Sequence, residues 1–348
     1  MNASYRLSVL DQSPIAAGST AAQALRNTLD LARLCDDLGY HRYWMAEHHA
    51  TPSLAGAAPE ALIGPVSQVT KRMRIGSGGI MLPHYSPFKV AETFKMLAAL
   101  APGRIDLGLG RAPGSDQRTA LAMRQDRSRG FGAEDFPAAL NELLAYLDDR
   151  REEGAGLPPD HVFAPLRGTL PNGGGEVPVW LLGSSPDSAV LAGRLGLPYA
   201  VADFINPDGV ELAKLYRDMF VPSRHLDRPE VLATVWAIAA DTDEEAQRLS
   251  APAAMMFAHL MQGILIPVPS VQEAVDWLAD MPAAVAMRRR RVITGTPSHV
   301  RAELDRAADA YRADEMMIVN IMPDHAARRR SYELVATEYG LAANAFAA

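Results

Sequence analysis

The chain has 348 residues, nearly half of them apolar or aromatic, with a net charge of −7 and an isoelectric point near 5.7. That length allows a large buried core, while the acidic balance and dispersed basic residues argue against nucleic acid as a partner. The single cysteine, Cys35, cannot form an intrachain disulfide, no signal-peptide core opens the chain and no uncharged apolar run spans a membrane, so a cytoplasmic protein without membrane contact is expected.

Residues 7–10 form an apolar run that empties into the polar loop Asp11-Gln12-Ser13-Pro14, and Ala21–Leu38 carries apolar residues at helical spacing before Gly39 stops it. Residues 42–46 read as a second strand ending in Glu47, His48 and His49, with a helix over 59–70 behind it. A third strand over 74–82 contains Gly76, Gly78 and Gly79, and Ser86-Pro87 opens a helix reaching about Leu100. In the stretch 103–114, Ile105, Leu107 and Leu109 alternate with Asp106 and Gly108, the period of a strand that delivers Gly110 and Arg111 at its end. A helix over 134–150 leads into a glycine- and proline-rich loop insertion at 152–176. Strands over 178–182, 199–204, Val231–Ala239 and 316–322 complete a set of eight, with helices following Gly183-Ser184-Ser185 and Asn206-Pro207. The connection between the seventh and eighth strands is too long for one crossover. It holds helical stretches at 244–262 and, behind the capping pattern Ser270…Glu273, at Val271–Ala279, while 288–295 reads as irregular.

Strands alternating with helices predict an α/β fold. The expectation is one domain over 1–348, a parallel sheet closed into a (β/α)8 TIM barrel with insertions, notably between strands 7 and 8; an open doubly wound sheet is the alternative. Part of residues 263–295, broken by Gly263 and Pro267-Val268-Pro269 and carrying a cluster of arginines at 288–291, is expected to act as a mobile lid; a solvated basic helix face is the alternative.

In such a barrel the C-terminal strand ends make the working face, so Asp11, Ser13, Glu47, His48, His49, the 78–84 segment, Gly110, Arg111, Gly183, Ser184, Ser185, Asp203 and Asn320 are expected to converge there. Arg111 offers a planar fork of donors, and the helix after Ser185 begins with Pro186, leaving unused backbone donors; together they suit a phosphate. The plainer readings are an arginine paired to a carboxylate and a serine that simply caps its helix. If strand geometry persists, His48 and His49 point to opposite sides, and one of them faces the mouth as an acid–base group. Gly78-Gly79 reads either as a bare surface for a flat ring or as a β-bulge. No metal-site spacing occurs, nor a dinucleotide fingerprint after the first strand, a phosphate-binding P-loop or a nucleophile elbow.

Four ordered stretches, Leu7-Ser8-Val9-Leu10-Asp11-Gln12-Ser13-Pro14, Trp44-Met45-Ala46-Glu47-His48-His49, Gly76-Ser77-Gly78-Gly79-Ile80-Met81-Leu82-Pro83 and 103–114, resemble the bacterial luciferase-like monooxygenases over nearly the whole chain. The likeness is closest to flavin-dependent oxidoreductases related to the alkanal monooxygenase alpha chain. It implies a (β/α)8 barrel that binds FMN, reduced by a separate flavin reductase or in place by NAD(P)H, and uses O2 to oxidise a small organic substrate. On this resemblance Arg111, Ser184 and Ser185, flanked by Gly110 and Gly183, hold the phosphate. Gly78 and Gly79 form the bulge under the flavin ring, which in relatives can include a non-proline cis peptide. His48 takes the place of the histidine that assists oxidation, with Glu47 or Asp11 orienting it. Gly110 stands where luciferase has a cysteine, a departure from luciferase-type reactivity that still permits monooxygenation. The superfamily also contains deazaflavin-dependent hydride-transfer enzymes and non-catalytic flavin-binding proteins, which are the alternatives. A homodimer through the helices at 59–70 and 87–100 is implied too. There Val66, Val69, Val90, Phe94 and Leu97 supply apolar area that a monomer would equally bury against its own barrel.

Overall fold

Every residue of Val231–Ala239 and of Ile105–Gly110 is buried, as strands must be when a sheet is covered on both faces. The computed structural model describes residues 5–112, 116–123, 135–148, 156–166, 175–206, 208–280 and 292–341. Its strands are β1 (Arg6–Asp11), β2 (Arg42–Met45), β3 (Arg74–Met81), β4 (Ile105–Gly110), β5 (Val179–Gly183), β6 (Tyr199–Ala202), β7 (Val231–Ala239), β8 (Ile293–Gly295) and β9 (Glu315–Val319). β1 to β7 pair in sequence order, except that β9 stands between β7 and β1 and closes the ring. All these pairings are parallel, so the expected closed eight-stranded barrel is present and the open-sheet alternative falls away. β8 is additional: it extends the far end of β7 through Ala237↔Ile293 to Ala239↔Gly295, where the sequence reads as irregular. Three residues are too few to display an alternation.

Around the barrel run α1 (Ala21–Leu38), α2 (Pro59–Val69), α3 (Pro87–Leu100), α4 (Gln117–Ala122), α5 (Phe136–Leu147), α6 (Pro186–Leu195), α7 (Gly209–Asp218), α8 (Asp243–Leu260), α9 (Val271–Ala279), α10 (Pro297–Tyr311) and α11 (His325–Tyr339). Local chemistry sets their ends. Thr20, Ser86, Thr242 and Ser270 each accept from the N–H three residues on, while Gly39 and Gly196 close α1 and α6 in the left-handed conformation.

Alternation along the strands sorts the apolar side chains into two sets. Leu10, Trp44, Trp180, Leu232, Trp236 and Met317 fill the barrel, and a larger cluster lies between barrel and helices. Val66, Val90, Phe94 and Leu97 belong to that larger cluster, so much of the apolar area expected at a subunit contact is used by the chain's own core, while Val69 is half-buried outside it. On α3 the large apolar side chains left exposed are Met96 and Leu100.

Within the expected lid, residues 263–265 and Pro267 are exposed while Val268 is anchored. Val268 is fully buried, its N–H donates to the Ile15 carbonyl (2.9 Å), and its own carbonyl accepts from Ala17 (2.8 Å). Beyond it, Ala274 of α9 packs with Ala251 and Met255 of α8. Residues 281–291, including the arginines at 288–291, lie outside the described residues, as do 152–155 and 167–174 of the loop insertion. Among the described residues no helix is long and apolar enough to cross a membrane.

Candidate active site

Asp11 ends β1, and its side chain turns away from the barrel interior that Leu10 faces. Its carboxylate accepts from Arg328 Nη2 (2.8 Å), Thr28 Oγ1 (2.6 Å), Tyr43 OH (2.8 Å) and the Ser13 N–H (2.9 Å), with no exposure at all. Burial alone would raise its pKa, but Arg328 and these donors hold the carboxyl below its ordinary value. The expectation that Asp11 orients His48 is therefore corrected: its donors come from α1, α11, β2 and its own turn. That turn holds Ser13 at φ +50° and brings Gln12 to the mouth. Asp203 and Asn320 face the helix layer as well, accepting from Tyr311 OH (2.6 Å) and Arg328 Nε (3.0 Å).

β2 stops at Met45, and the alternation that would separate His48 from His49 stops with it; both rings line one cavity. Glu47 is fully buried and bonds His49 Nε2 through Oε1 (2.7 Å) while accepting the Met81 N–H at Oε2 (2.9 Å). Tyr85 also leans on this carboxylate, and burial followed by the Glu47 charge pushes its hydroxyl pKa far up. The His84 ring meets His49 edge-on at 6.0 Å. Glu47 thus orients His49, which corrects the expected Glu47–His48 pairing.

On β3 the Gly78-Gly79 peptide is cis. Ser77 pairs with Leu107 and Ile80 with Leu109, so two residues oppose Gly108 in a bulge. A Cβ on Gly78 would come within 2.6 Å of Leu10 Cδ1, one on Gly79 within 2.7 Å of the Gly108 oxygen, and one on Gly110 within 2.8 Å of Met81 Sδ. The missing side chains make room for neighbouring segments of the chain, as a bulge does.

Arg111, just past β4, points Nη1 at Asp187 Oδ2 (3.2 Å) and Nη2 at Ser185 Oγ (3.4 Å). Ser185 occupies the N-cap of α6, yet its hydroxyl makes no capping bond. Ser188 Oγ instead donates to the Ser185 carbonyl (2.7 Å) and meets Tyr199 OH (2.9 Å). This arrangement requires Gly183, because a Cβ there would lie 2.1 Å from Ser188 Oγ. The Ser184 carbonyl accepts from Asn206 Nδ2 (2.9 Å), which ties the turn to the end of β6. Pro186 has no N–H, and the N–H groups of Asp187 and Ser188 fall in the first turn, beyond reach of an intrahelical acceptor. A guanidinium, a hydroxyl and two backbone donors at a positive helix end form a donor set that fits a phosphate monoester.

The cavity at the mouth has a volume of ≈ 550 Å³. Its polar lining is Gln12, His48, His49, Thr51, Ser53 and Asp116. Phe204, Trp236, Met256, Phe257, Leu260, Leu265 and Ile321 contribute to its apolar wall. Trp236 Nε1 is buried there without a hydrogen-bond partner among the described residues. Sequence reasoning missed Gln12 and the α8 contribution. Residues 253, 256, 257 and 260 recur at helical spacing, a signal for an apolar face that does not say what the face covers.

Residues 5–314 match the family described as luciferase-like monooxygenase. The N-acetyl-S-alkylcysteine monooxygenase of Bacillus subtilis is 35% identical over 334 residues, 95% of this chain and 97% of that protein. The crystal structure of apo-MsnO8 is similar at a TM-score of 0.86 and 38% identity, covering 97% of this chain and 99% of that one. A more distant likeness of fold joins it to the oxygenating constituent of 3,6-diketocamphane monooxygenase from Pseudomonas putida, a type II Baeyer–Villiger monooxygenase in complex with FMN. There the TM-score is 0.69 and the identity 19%, over 96% and 98% of the chains. With its closed parallel barrel and matching sequence, the chain belongs to the luciferase-like monooxygenase family.

Proposed function

We propose that this protein is a cytoplasmic FMN-dependent monooxygenase that uses reduced flavin and O2 to oxidise a small organic substrate. The observation that carries the reading is the convergence of Arg111, Ser185 and the free first-turn donors of α6 at the barrel end that also holds the apolar cavity. The FMN complex of the fold relative and the monooxygenases among the sequence relatives support it. Bound reduced flavin would supply the electrons and the place where O2 reacts. Arg111 and Ser185 hold its phosphate, and the apolar wall keeps water from the reacting groups. With His49 Nε2 committed to Glu47, Nδ1 is the nitrogen that takes or gives a proton at the cavity; His48 lines the same space. Electrons come from a separate flavin reductase or from NAD(P)H. A homodimer through the exposed side of α2 and α3, with Met96 and Leu100, accompanies this reading, and sedimentation as a monomer at micromolar concentration rejects that part.

Titration with FMN and riboflavin tests the phosphate assignment, since charge-assisted bonds contribute roughly 1.5–3 kcal/mol each. FMN should bind more tightly, and equal affinities overturn the proposal. Anaerobic reduced FMN is then mixed with O2 in the presence of the protein. A reoxidation course distinct from that of free flavin is expected; unaltered reoxidation of bound flavin points to a binding protein. Binding of deazaflavin without FMN selects hydride transfer.

A further inference from the structure

We infer that Asp187 is a displaceable carboxylate built into the phosphate cradle, that it lowers the affinity for the flavin phosphate, and that it thereby makes the flavin an exchangeable co-substrate. This rests on the phosphate assignment of Arg111 and Ser185. Asp187 Oδ2 lies 3.2 Å from Arg111 Nη1, on the guanidinium that also reaches Ser185 Oγ. The carboxylate sits in the first turn of α6, where a negative charge is favoured by the helix dipole. Without flavin, one acidic side chain therefore neutralises both features that make the cradle attractive to an anion.

The Asp187 side chain is 78% exposed and that of Arg111 38%, so the carboxylate can swing into solvent without any burial cost when a phosphate arrives. Its charge does not leave with it. α6 keeps the Asp187 backbone beside the cradle, well inside the distance over which salt screens. A phosphate dianion on Arg111 must therefore displace one anion and then sit beside it. Riboflavin carries no phosphate and is indifferent to the exchange. Asp187 consequently narrows the preference for FMN over riboflavin and speeds FMN release, which suits a protein that receives reduced flavin from a second enzyme.

Calorimetric titration of FMN, riboflavin and inorganic phosphate into the wild-type protein, Asp187→Asn, Asp187→Ser and Arg111→Ala tests this. Asp187→Asn keeps the size of the side chain and should bind FMN about five- to tenfold more tightly, the scale of one exposed charge acting on a dianion. Riboflavin affinity should stay unchanged, FMN dissociation followed by flavin fluorescence should slow, and added salt should shrink the difference between variant and wild type. Asp187→Ser gives the same reading without the amide. FMN affinity unchanged or weakened in both Asp187 variants overturns the inference. Failure of the underlying reading looks different: Arg111→Ala would then leave the affinities for FMN and phosphate intact.

Discussion

At the N-terminal end of the barrel, Arg42 is 2% exposed and lies between Glu315 (Nε–Oε1 2.6 Å, Nη2–Oε2 2.9 Å) and Asp106 (Nη1–Oδ2 2.7 Å). Its guanidinium stands 4.6 Å from the centroid of the Trp180 ring and 5.3 Å from that of Trp44. Arg74 grips the other oxygen of Asp106 with two nitrogens (2.9 and 2.6 Å), Trp44 Nε1 adds a bond to Asp106 (3.2 Å), and Ser8 donates to Glu315. At the other end, among the described residues, Arg111 meets one exposed carboxylate and one hydroxyl, and the Trp236 N–H meets no acceptor. Both ends are built from the same eight strands. Charges that satisfy one another inside the wall have nothing left for a ligand and act as a plug, while the mouth keeps donors in reserve and forgoes the stability of pairing them.

Removing Arg42 should give the largest effect on the plug. Arg42→Ala leaves Glu315 and Asp106 buried without their shared counter-charge, and losing one partner of a buried pair costs about 3–5 kcal/mol. Chemical denaturation should show the midpoint falling accordingly; a loss comparable to that of an exposed pair would mean the plug is not a source of stability. Arg111→Ala should act in the opposite sense. It lowers FMN affinity by about ten- to a hundredfold, from roughly 1.5–3 kcal/mol per charge-assisted bond, and leaves the unfolding midpoint where it was. A matching loss of stability would erase the distinction between the two ends.

Glu47 sharpens the comparison because it is the mouth residue built like a plug residue. Glu47→Leu strands the Met81 N–H and releases His49, so a loss of about 1–3 kcal/mol in stability should accompany slowed substrate oxidation. Activity lost at full stability would place Glu47 wholly with the mouth. The smallest effect concerns pH. Burial first, then the charges of Arg42 and Arg6, lower the pKa of His41 beside the plug to about 3. The unfolded histidine titrates near 6.5, so between that pH and about 3 the unfolded chain binds more protons than the folded one. This contribution is present above pH 6.5 and is lost as pH falls toward 3. His41→Asn should flatten the decline of stability measured from pH 6.5 to 5; a slope identical to wild type would remove His41 from the account.

The barrel was legible because its cause is local. Strands buried on both faces and helices with one apolar stripe announce themselves by period, and their alternation leaves few ways to close. Strand order also placed Arg111 and Ser185 near each other, since β4 and β5 are neighbours. The α11 helix, which supplies Arg328 to Asp11, went unread. So did β8, whose three residues make no pattern of their own.

Asp11, Glu47 and the glycines show where local reading stops. Whether Asp11 faces cavity or helices depends on the residue at which the strand ends, and Glu47 chooses His49 because the chain leaves extended geometry after Met45. Gly78, Gly79 and Gly110 look like open space in one dimension; Leu10, Gly108 and Met81, distant in the chain, occupy it in three. The sequence by itself determined the eight barrel strands, most of the helices, their order and the rim on which polar groups would gather, because period and chain connectivity are properties of neighbours. Only the tertiary structure decided which polar group meets which, including the Asp187 carboxylate on Arg111, because a hydrogen bond depends on distances of a few tenths of an ångström between segments that packing alone brings together.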